Sequence, residues 1–495
     1  MAGLKSLAKD TAVYGMSSIV GRFLNWCLVP MYTHVFPDEQ YGVVTLVYSV
    51  VALLLVCLTY GMETGFFRFA NHERWKDSLQ VYTTALTALG CSSILFAVIT
   101  LIFSDFFAGL IDCAGHPSYV WMMGFAVSID AFASLPFAYL RYKRRPMRFA
   151  TLKLVGIGIN IGLNIFFILL LPRLASVGIL TWMWSDDFGV GYIFLANMIA
   201  SVVTLFLLLP ELKLKWSFCG TLLREMLVYS FPLLVLGLAG IMNQSIDKIL
   251  YPLLVSDKAE AMSGLGIYGA NYKIAIIMVM FIQAFRFAYE PYIFSQHKNQ
   301  AGDRSKEGYV QAMKWYVIFG MLIFLGVMEM MDVVKWFIAP SYFSGLRVVP
   351  IIMIAEFFFG VFFNLSVWYK VTDRTIYGTW FSILGLVVTL AMNFVLVPAI
   401  GYMGCAWAAL CCYGVMMFAS WIVGRRKYPI GYDVRSALFY FVAGIGIWGV
   451  TSLLQSFTNM PDIVLWGLRI IAIFTYIWIV FVKEGIRLSR ITIKK

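Results

Sequence analysis

Phe36-Pro37-Asp38-Glu39-Gln40-Tyr41-Gly42 is a short acidic turn joining two long apolar runs that together occupy Ala12 to Ala70. The first run carries a charge, Arg22, about ten residues inside it. At about 1.5 Å of rise per residue, that places Arg22 roughly 15 Å along a membrane span, near the bilayer centre. A charge there costs at least about 2.5–3.5 kcal/mol on insertion scales, so it must face protein, water or a partner. The second run ends in Glu63 and Arg68. Tyr41-Gly42 followed by Glu63 returns as Tyr268-Gly269 followed by Glu290, at the same spacing, about 227 residues later. A charged hairpin repeated at that distance predicts a transporter built from two homologous halves.

Composition agrees. Of 495 residues, 61% are hydrophobic and 13% charged, and the mean hydropathy is +0.82; a soluble protein is excluded. Aromatics at 17% suit interfacial belts. The net charge of +12 does not indicate nucleic acid, because the bases lie in short loops between apolar runs. Most of the eight cysteines sit inside apolar runs, with neither metal nor disulfide spacing, and read as packing residues. His34, His72, His116 and His297 all fall near span ends, so no midplane acid/base or metal site is evident. The chain contains no G-x-x-x-x-G-K-[ST] loop, so ATP hydrolysis is not expected, nor is any cofactor. The first apolar run is too long for a signal h-region and lacks a small-x-small cleavage site; it is kept as a helix.

The expected fold is an all-α polytopic membrane protein of about fourteen spans. Their approximate limits are 10–35, 40–66, 78–107, 117–140, 149–172, 189–210, 225–255, 265–294, 310–332, 347–370, 376–399, 401–424, 435–455 and 463–483. The turn at Pro398–Gly404 is very short, and fusing the spans around it gives a thirteen-span rival. Alternate connections are rich in Lys and Arg, as in Arg141-Tyr-Lys-Arg-Arg145 and Arg425-Arg-Lys427. The other connections hold acids, including Asp38/Glu39, Asp186/Asp187 and Asp257/Glu260. The bias places both termini in the cytoplasm, which favours an even number of spans. Leu163-Asn164 and Met392-Asn393 extend the repeat at an offset of about 229. Six spans per half makes the repeats parallel, related by an axis along the membrane normal. The expected lobes are 1–216 with spans 1–6 and 217–428 with spans 7–12, followed by 429–495 with spans 13–14 and a cytoplasmic tail. Segment 173–188 reads as an outer interfacial helix, and Lys213 to Glu225 as a cytoplasmic one.

Three stretches resemble a known family. They are the Phe36–Gly42 turn, the Tyr-Ser-Phe-Pro232 entry to span seven and the Gly401-Tyr-Met-Gly-Cys-Ala-Trp-Ala-Ala409 entry to span twelve. They look like the corresponding parts of polysaccharide exporters in the multidrug/oligosaccharidyl-lipid/polysaccharide (MOP) flippase superfamily. The resemblance spans essentially the whole chain. It implies two six-helix lobes around a central cavity, two extra C-terminal helices, and no enzymatic activity. It also implies flipping of a lipid-linked oligosaccharide, on undecaprenyl pyrophosphate, across a bacterial cytoplasmic membrane for surface polysaccharide synthesis. The lipid II flippase branch also has fourteen spans and a basic cavity, and Arg22 and Arg286 sit where that branch places cavity arginines. Drug antiporters of the superfamily, with twelve spans and acidic cation sites, fit less well. The implied partners are the lipid-linked oligosaccharide, membrane lipids and a coupling ion, H+ or Na+. A monomer is expected, alone or with polysaccharide assembly proteins.

The charges within the spans each admit two readings. Arg22 shares a helical face with Ser18 and Asn25; it captures phosphate through its planar fork, or it pairs with Asp130 in span four. Arg286 lies on a face with Gln283 and Glu290; it serves the headgroup, or it pairs locally with Glu290. Asp247 and Lys248 form a gate or ion site in the outer half of span seven, or they snorkel to the interface. Glu356 and Asp130 are coupling candidates, with Lys273 placed to neutralise one of them. Glu63, Arg68 and Arg141 lie at the cytoplasmic mouth; Arg68 and Arg141 first attract an anionic headgroup or are simply solvated, and Glu63, like Glu290, is a gating or ion-coupling candidate. Asn160, Asn164 and Asn393 read as hydrogen-bond glue between helices rather than ligands. A membrane-embedded glycosyltransferase or ligase would need a large outer loop, and each outer connection is short. A channel would need a ring of like residues, whereas the midplane polar residues differ between the halves.

Overall fold

The computed structural model describes residues 2–75, 77–111, 113, 115–212, 215–299, 303–457 and 461–485. Among the described residues the regular elements are all helical. Without water, a backbone in lipid must satisfy its own N–H and C=O groups, and the helix does so within one segment. A first helix, α1, spans Ala2–Trp26. Thirteen more helices among the described residues are long and apolar enough to cross a membrane. They are α2 (Asp38–Ala70), α3 (Ser78–Ile102), α4 (Pro117–Tyr142), α5 (Pro146–Ser176), α6 (Gly191–Glu211) and α7 (Gly220–Leu254); then α8 (Lys258–Asn299) and α9 (Asp303–Glu329); then α10 (Val348–Val371), α11 (Ile376–Ile400), α12 (Tyr402–Lys427), α13 (Val434–Phe457) and α14 (Asp462–Glu484). The protein is a multi-pass membrane protein. The spans read from hydropathy match α2–α14. The expected first span, 10–35, divides into the end of α1 and a separate short helix, Val29–Val35, and α1 is not among the thirteen helices long and apolar enough to cross a membrane. The rival fusion of the spans around Pro398–Gly404 fails at Gly401. That residue has φ +60, a left-handed turn that glycine tolerates, and it separates α11 from α12.

Neither expected interfacial helix forms as an element of its own: Arg173–Ser176 belongs to α5 and Gly220–Glu225 to α7, and Lys213 and Leu214 lie outside the described residues. Residues 177–188 hold two short 3-10 turns, Thr181–Met183 and Asp186–Phe188, between glycines at φ +83 and +43. Trp184 stacks on Tyr192 at 5.1 Å and 6°, and the Tyr192 hydroxyl donates to the carbonyl of Met183, so aromatic packing rather than a helix holds this loop. Residues 215–219 are non-helical, and α7 starts early at Gly220. The reason is local. The carbonyl of Ser217 accepts from Thr83 Oγ1 at 2.8 Å and the Cys219 N–H donates to Thr84 Oγ1 at 3.2 Å. These bonds peg the segment to the start of α3.

The chain forms two compact units, Met1–Ala270 with Gly385–Ala409, and Asn271–Leu384 with Leu410–Lys495. In the first unit α4 is the central helix, packed by α3, α6 and α2, while α1 lies along α5 and α7 along α2. Here α2 and the first part of α8 meet backbone to backbone. A Cβ on Gly42 would lie 2.0 Å from the carbonyl oxygen of Met262, and one on Gly266 would lie 1.9 Å from that of Asp38. Small residues let helices approach this closely in lipid, where packing substitutes for hydrophobic drive. Asp38 Oδ2 accepts from the Ser263 hydroxyl at 2.6 Å beside the seam. Gly266→Ala should therefore lower stability by about 1–3 kcal/mol through overpacking. Thermal unfolding of purified protein checks this, with Gly109→Ala as the control, since nothing lies within 4 Å of a Cβ there.

In the second unit α9 packs against α10, α13 and α14. Polar ties between helices fix the arrangement: Lys314 to Glu484 at 2.6 Å, Tyr440 to Glu484 at 2.7 Å and Thr451 to Glu329 at 2.6 Å.

Candidate functional site

In the first unit α1, α2, α4, α5 and α6 enclose a cavity of about 710 Å³. Each helix supplies one stripe at helical spacing. From α1 come Ser18, Arg22 and Asn25; from α4, Asp130, Ser134, Phe137 and Arg141; from α5, Phe149, Lys153, Ile157 and Asn160; from α6, Asn197, Ser201 and Thr204. Glu63 comes from α2 by way of a break. Tyr60 has φ +32 and Gly61 φ +70, both left-handed, which ends one helical segment and restarts another at Met62. This break turns Glu63 into the cavity wall, where it forms an ion pair with Arg141. Both side chains are about a third exposed, at 39% and 33%, so the pair is worth little as stabilisation.

Arg22 and Lys153 differ from Arg141. Among the described residues neither has a carboxylate within ion-pair distance. Lys153 Nζ stands 4.2 Å above the ring of Phe137, a cation–π contact. Asp130 is surrounded by the bundle yet open to the cavity; Ser201 hydrogen-bonds it and Lys153 attracts it from beyond pairing distance. An amide chain runs out of the wall. Asn160 donates to Asn25 Oδ1 at 3.5 Å, Asn164 donates to Asn160 Oδ1 at 3.1 Å, and Tyr32 donates to Asn164 Oδ1 at 2.9 Å. The wall thus offers three cations against two carboxylates, with amides and hydroxyls between them. Such a surface suits an anion carrying hydroxyl groups.

Of the residues expected from sequence, Arg22, Asn25, Glu63, Asp130 and Arg141 share this cavity. Arg22 and Asp130 line one cavity without forming the ion pair considered for them. Arg68 is elsewhere, its guanidinium 4.0 Å over the ring of Tyr229. Asp247 and Lys248, 5% and 7% exposed, are buried in the first unit and do not snorkel. They pair with each other at 3.0 Å, and Tyr268 donates to Asp247 Oδ2 at 2.6 Å. Arg286, Lys273 and Glu356 belong to the second unit. Arg286 sits 4.0 Å over the ring of Phe363, with Lys370 at 4.2 Å from the same ring. Glu356 accepts from Tyr272 at 2.8 Å. The Glu290 side chain lies outside the described residues. Sequence reading missed Lys153, Asn197 and Ser201. The signal for Lys153 was its place seven residues into α5, about 10 Å beyond Pro146.

A model of polysaccharide biosynthesis proteins matches residues 7–297. No curated protein matches the sequence significantly. Among solved structures, a lipid II flippase, MurJ, in an inward closed conformation superposes with TM-score 0.74 at 10% identity, covering 96% of this chain and 100% of its own. An inward-facing MATE multidrug resistance transporter of the MOP superfamily gives 0.66 at 14% identity, covering 85% and 98%. The MATE multidrug transporter DinF-BH gives 0.60 at 16% identity, covering 85% and 96%. The matched model covers more than half of this chain, and with the shared architecture it decides the family: the chain belongs to the polysaccharide biosynthesis protein family and has the fold of the MOP superfamily.

Proposed function

We propose that the protein flips a lipid-linked oligosaccharide, carried on a polyprenyl pyrophosphate, across the bacterial cytoplasmic membrane by alternating access. One observation carries this reading: in a chain of this family, Arg22 and Lys153 stand in a membrane-embedded cavity with no carboxylate paired to either among the described residues. Two such cations on different helices suit the two phosphates of a pyrophosphate, and the guanidinium fork can grip one bidentately. The amides and hydroxyls of Asn25, Asn160, Asn197 and Thr204 can replace water around the first sugar. The lipid tail stays in the bilayer, so only the head is desolvated, and charged groups in the cavity offset a Born cost that would otherwise be tens of kcal/mol.

In this reading residues 1–216 and 217–428 act as two lobes, residues 429–495 add the last two spans, and both termini are cytoplasmic. Asp130, open to the cavity and drawn toward Lys153, is the coupling carboxylate for H+ or Na+. Glu63 holds Arg141 at the mouth until the head displaces one of them. A gradient or the membrane potential then drives the cycle, at about 2.3 kcal/mol per net charge per 100 mV.

The test uses vesicles that contain purified protein and a fluorescent polyprenyl-pyrophosphate oligosaccharide. Protein-dependent movement between leaflets is expected, with no competition from a drug cation such as a rhodamine dye. Lys153→Ala should slow movement about tenfold, the loss of one charge-assisted phosphate contact. Competition by the drug cation, with no movement of the lipid, would replace this reading with drug export. A lipid II flippase is the second reading, favoured by a fold likeness that reaches 96% of the chain where the MATE likenesses reach 85%. Lipid II presented in the same vesicles separates the two.

A further inference from the structure

We infer that the second unit carries a binding site for an anionic glycerophospholipid, with the phosphate at Arg425 and one acyl chain in a phenylalanine-lined groove. Two adjoining spaces support it. A chamber of about 540 Å³ is lined by Trp368, Trp421, Arg425, Tyr428 and Tyr432. An apolar groove of about 290 Å³ is lined by Phe357, Phe358, Phe418 and Phe441. Leu365, Trp421, Tyr432 and Val434 belong to both walls, so the chamber and the groove adjoin.

The sequence explains this shape. Helix α12 ends in Arg425-Arg426-Lys427, Gly431 turns the chain at φ +76, and α13 begins at Val434. The chamber therefore sits at the basic, polar end of the α12–α13 hairpin. Below it the groove follows Val434, Ala437, Leu438 and Phe441, a run at i, i+3, i+4 and i+7 on α13. That run descends about 10 Å toward the bilayer interior. A phosphate at the interface with a chain pointing inward is how a leaflet lipid lies.

The head end is positive. Arg425 Cζ lies 5.8 Å from the Trp421 ring, the wall common to both spaces, and Lys306 Nζ lies 5.4 Å from the ring of Tyr428. Asp433 stands at the groove mouth, but it is engaged as a helix cap: the Ser436 N–H donates to it at 3.0 Å, and these bonds hold its carboxyl below the usual range. Trp and Tyr around the cations match the amphipathic interface. The occupant is a bulk membrane phospholipid, because the cations at the head end match an anionic phosphate and a groove of about 290 Å³ takes only part of one acyl chain. The lipid is the solvent, so mass action fills even a weak site.

The test is native mass spectrometry of the full-length protein in detergent, titrated with phosphatidylglycerol and, separately, with phosphatidylcholine. One saturable phosphatidylglycerol is expected, bound at least about tenfold more tightly than phosphatidylcholine. Arg425→Gln should weaken phosphatidylglycerol about tenfold, and Arg425→Lys should recover much of the loss. Arg426→Gln removes the same charge one residue away, outside the chamber wall, and should change nothing. Ala437→Trp fills the groove and should expel the lipid while leaving the chamber intact. Equal losses from Arg425→Gln and Arg426→Gln would reduce the effect to surface charge and overturn the site. Unchanged binding in Ala437→Trp would overturn it as well. So would one-for-one displacement of phosphatidylglycerol by a polyprenyl pyrophosphate, which would give the groove to the transported lipid.

Discussion

Arg22→Ala should reduce flipping of the lipid-linked oligosaccharide roughly a hundredfold, the scale of losing a desolvated charge–phosphate contact worth about 3 kcal/mol. The protein should remain folded in the membrane. Arg22 has no carboxylate partner among the described residues, so its removal strands no buried opposite charge, and it relieves the cost of holding a cation in the bundle. Lost transport with retained stability would therefore report on the headgroup rather than on folding. Arg22→Lys keeps the charge and loses the planar fork, so it should recover only part of the rate. Membrane level, thermal unfolding and vesicle flipping measured on the same preparations separate these effects. An Arg22→Ala protein that flips at the normal rate would remove this residue from the path.

Much of this was legible in the sequence, for physical reasons that also show where legibility stops. Lipid demands about twenty apolar residues per helix, and that constraint located the thirteen helices after α1, while the turn at Gly401 needed the structure to settle it. Arg22 and Asp130 stood out because a charge deep in a span is costly. Lys153 did not, because one turn or two from Pro146 it resembles a cation that snorkels to the interface. Only the packing shows it over Phe137, facing inward. Pairing was not legible either. Asp247 and Lys248 are sequence neighbours, and nothing in the chain says that Tyr268 will clasp the aspartate and bury both. The interfacial helices failed because amphipathic composition does not distinguish a helix from a loop held by aromatic stacking or side-chain hydrogen bonds.

The repeated Tyr-Gly pair has a physical reason in the seam between α2 and α8. Gly42 faces the carbonyl of Met262, and a Cβ on Gly269 would come within 2.3 Å of Thr45 Oγ1. The two tyrosines, Tyr41 and Tyr268, are 2% and 0% exposed beside it. In the proposed topology this seam lies at the outer face, where the second helix of each half meets the other, and alternating access requires it to part. Closely packed interfaces of this kind switch between discrete states rather than deforming smoothly. Asp38 and Ser263, bonded at 2.6 Å across the seam, mark where to hold it shut. Asp38→Cys with Ser263→Cys, joined by oxidation or a short thiol crosslinker, should cut flipping to the protein-free background. Binding of the pyrophosphate head from the cytoplasmic side should persist, because Arg22, Lys153 and Arg141 are untouched. Reduction of the crosslink should restore transport, and the uncrosslinked double variant should transport at nearly the normal rate. If the stapled protein flips lipid as fast as the reduced one, the seam is a fixed wall, and a static groove would replace rocking as the mechanism.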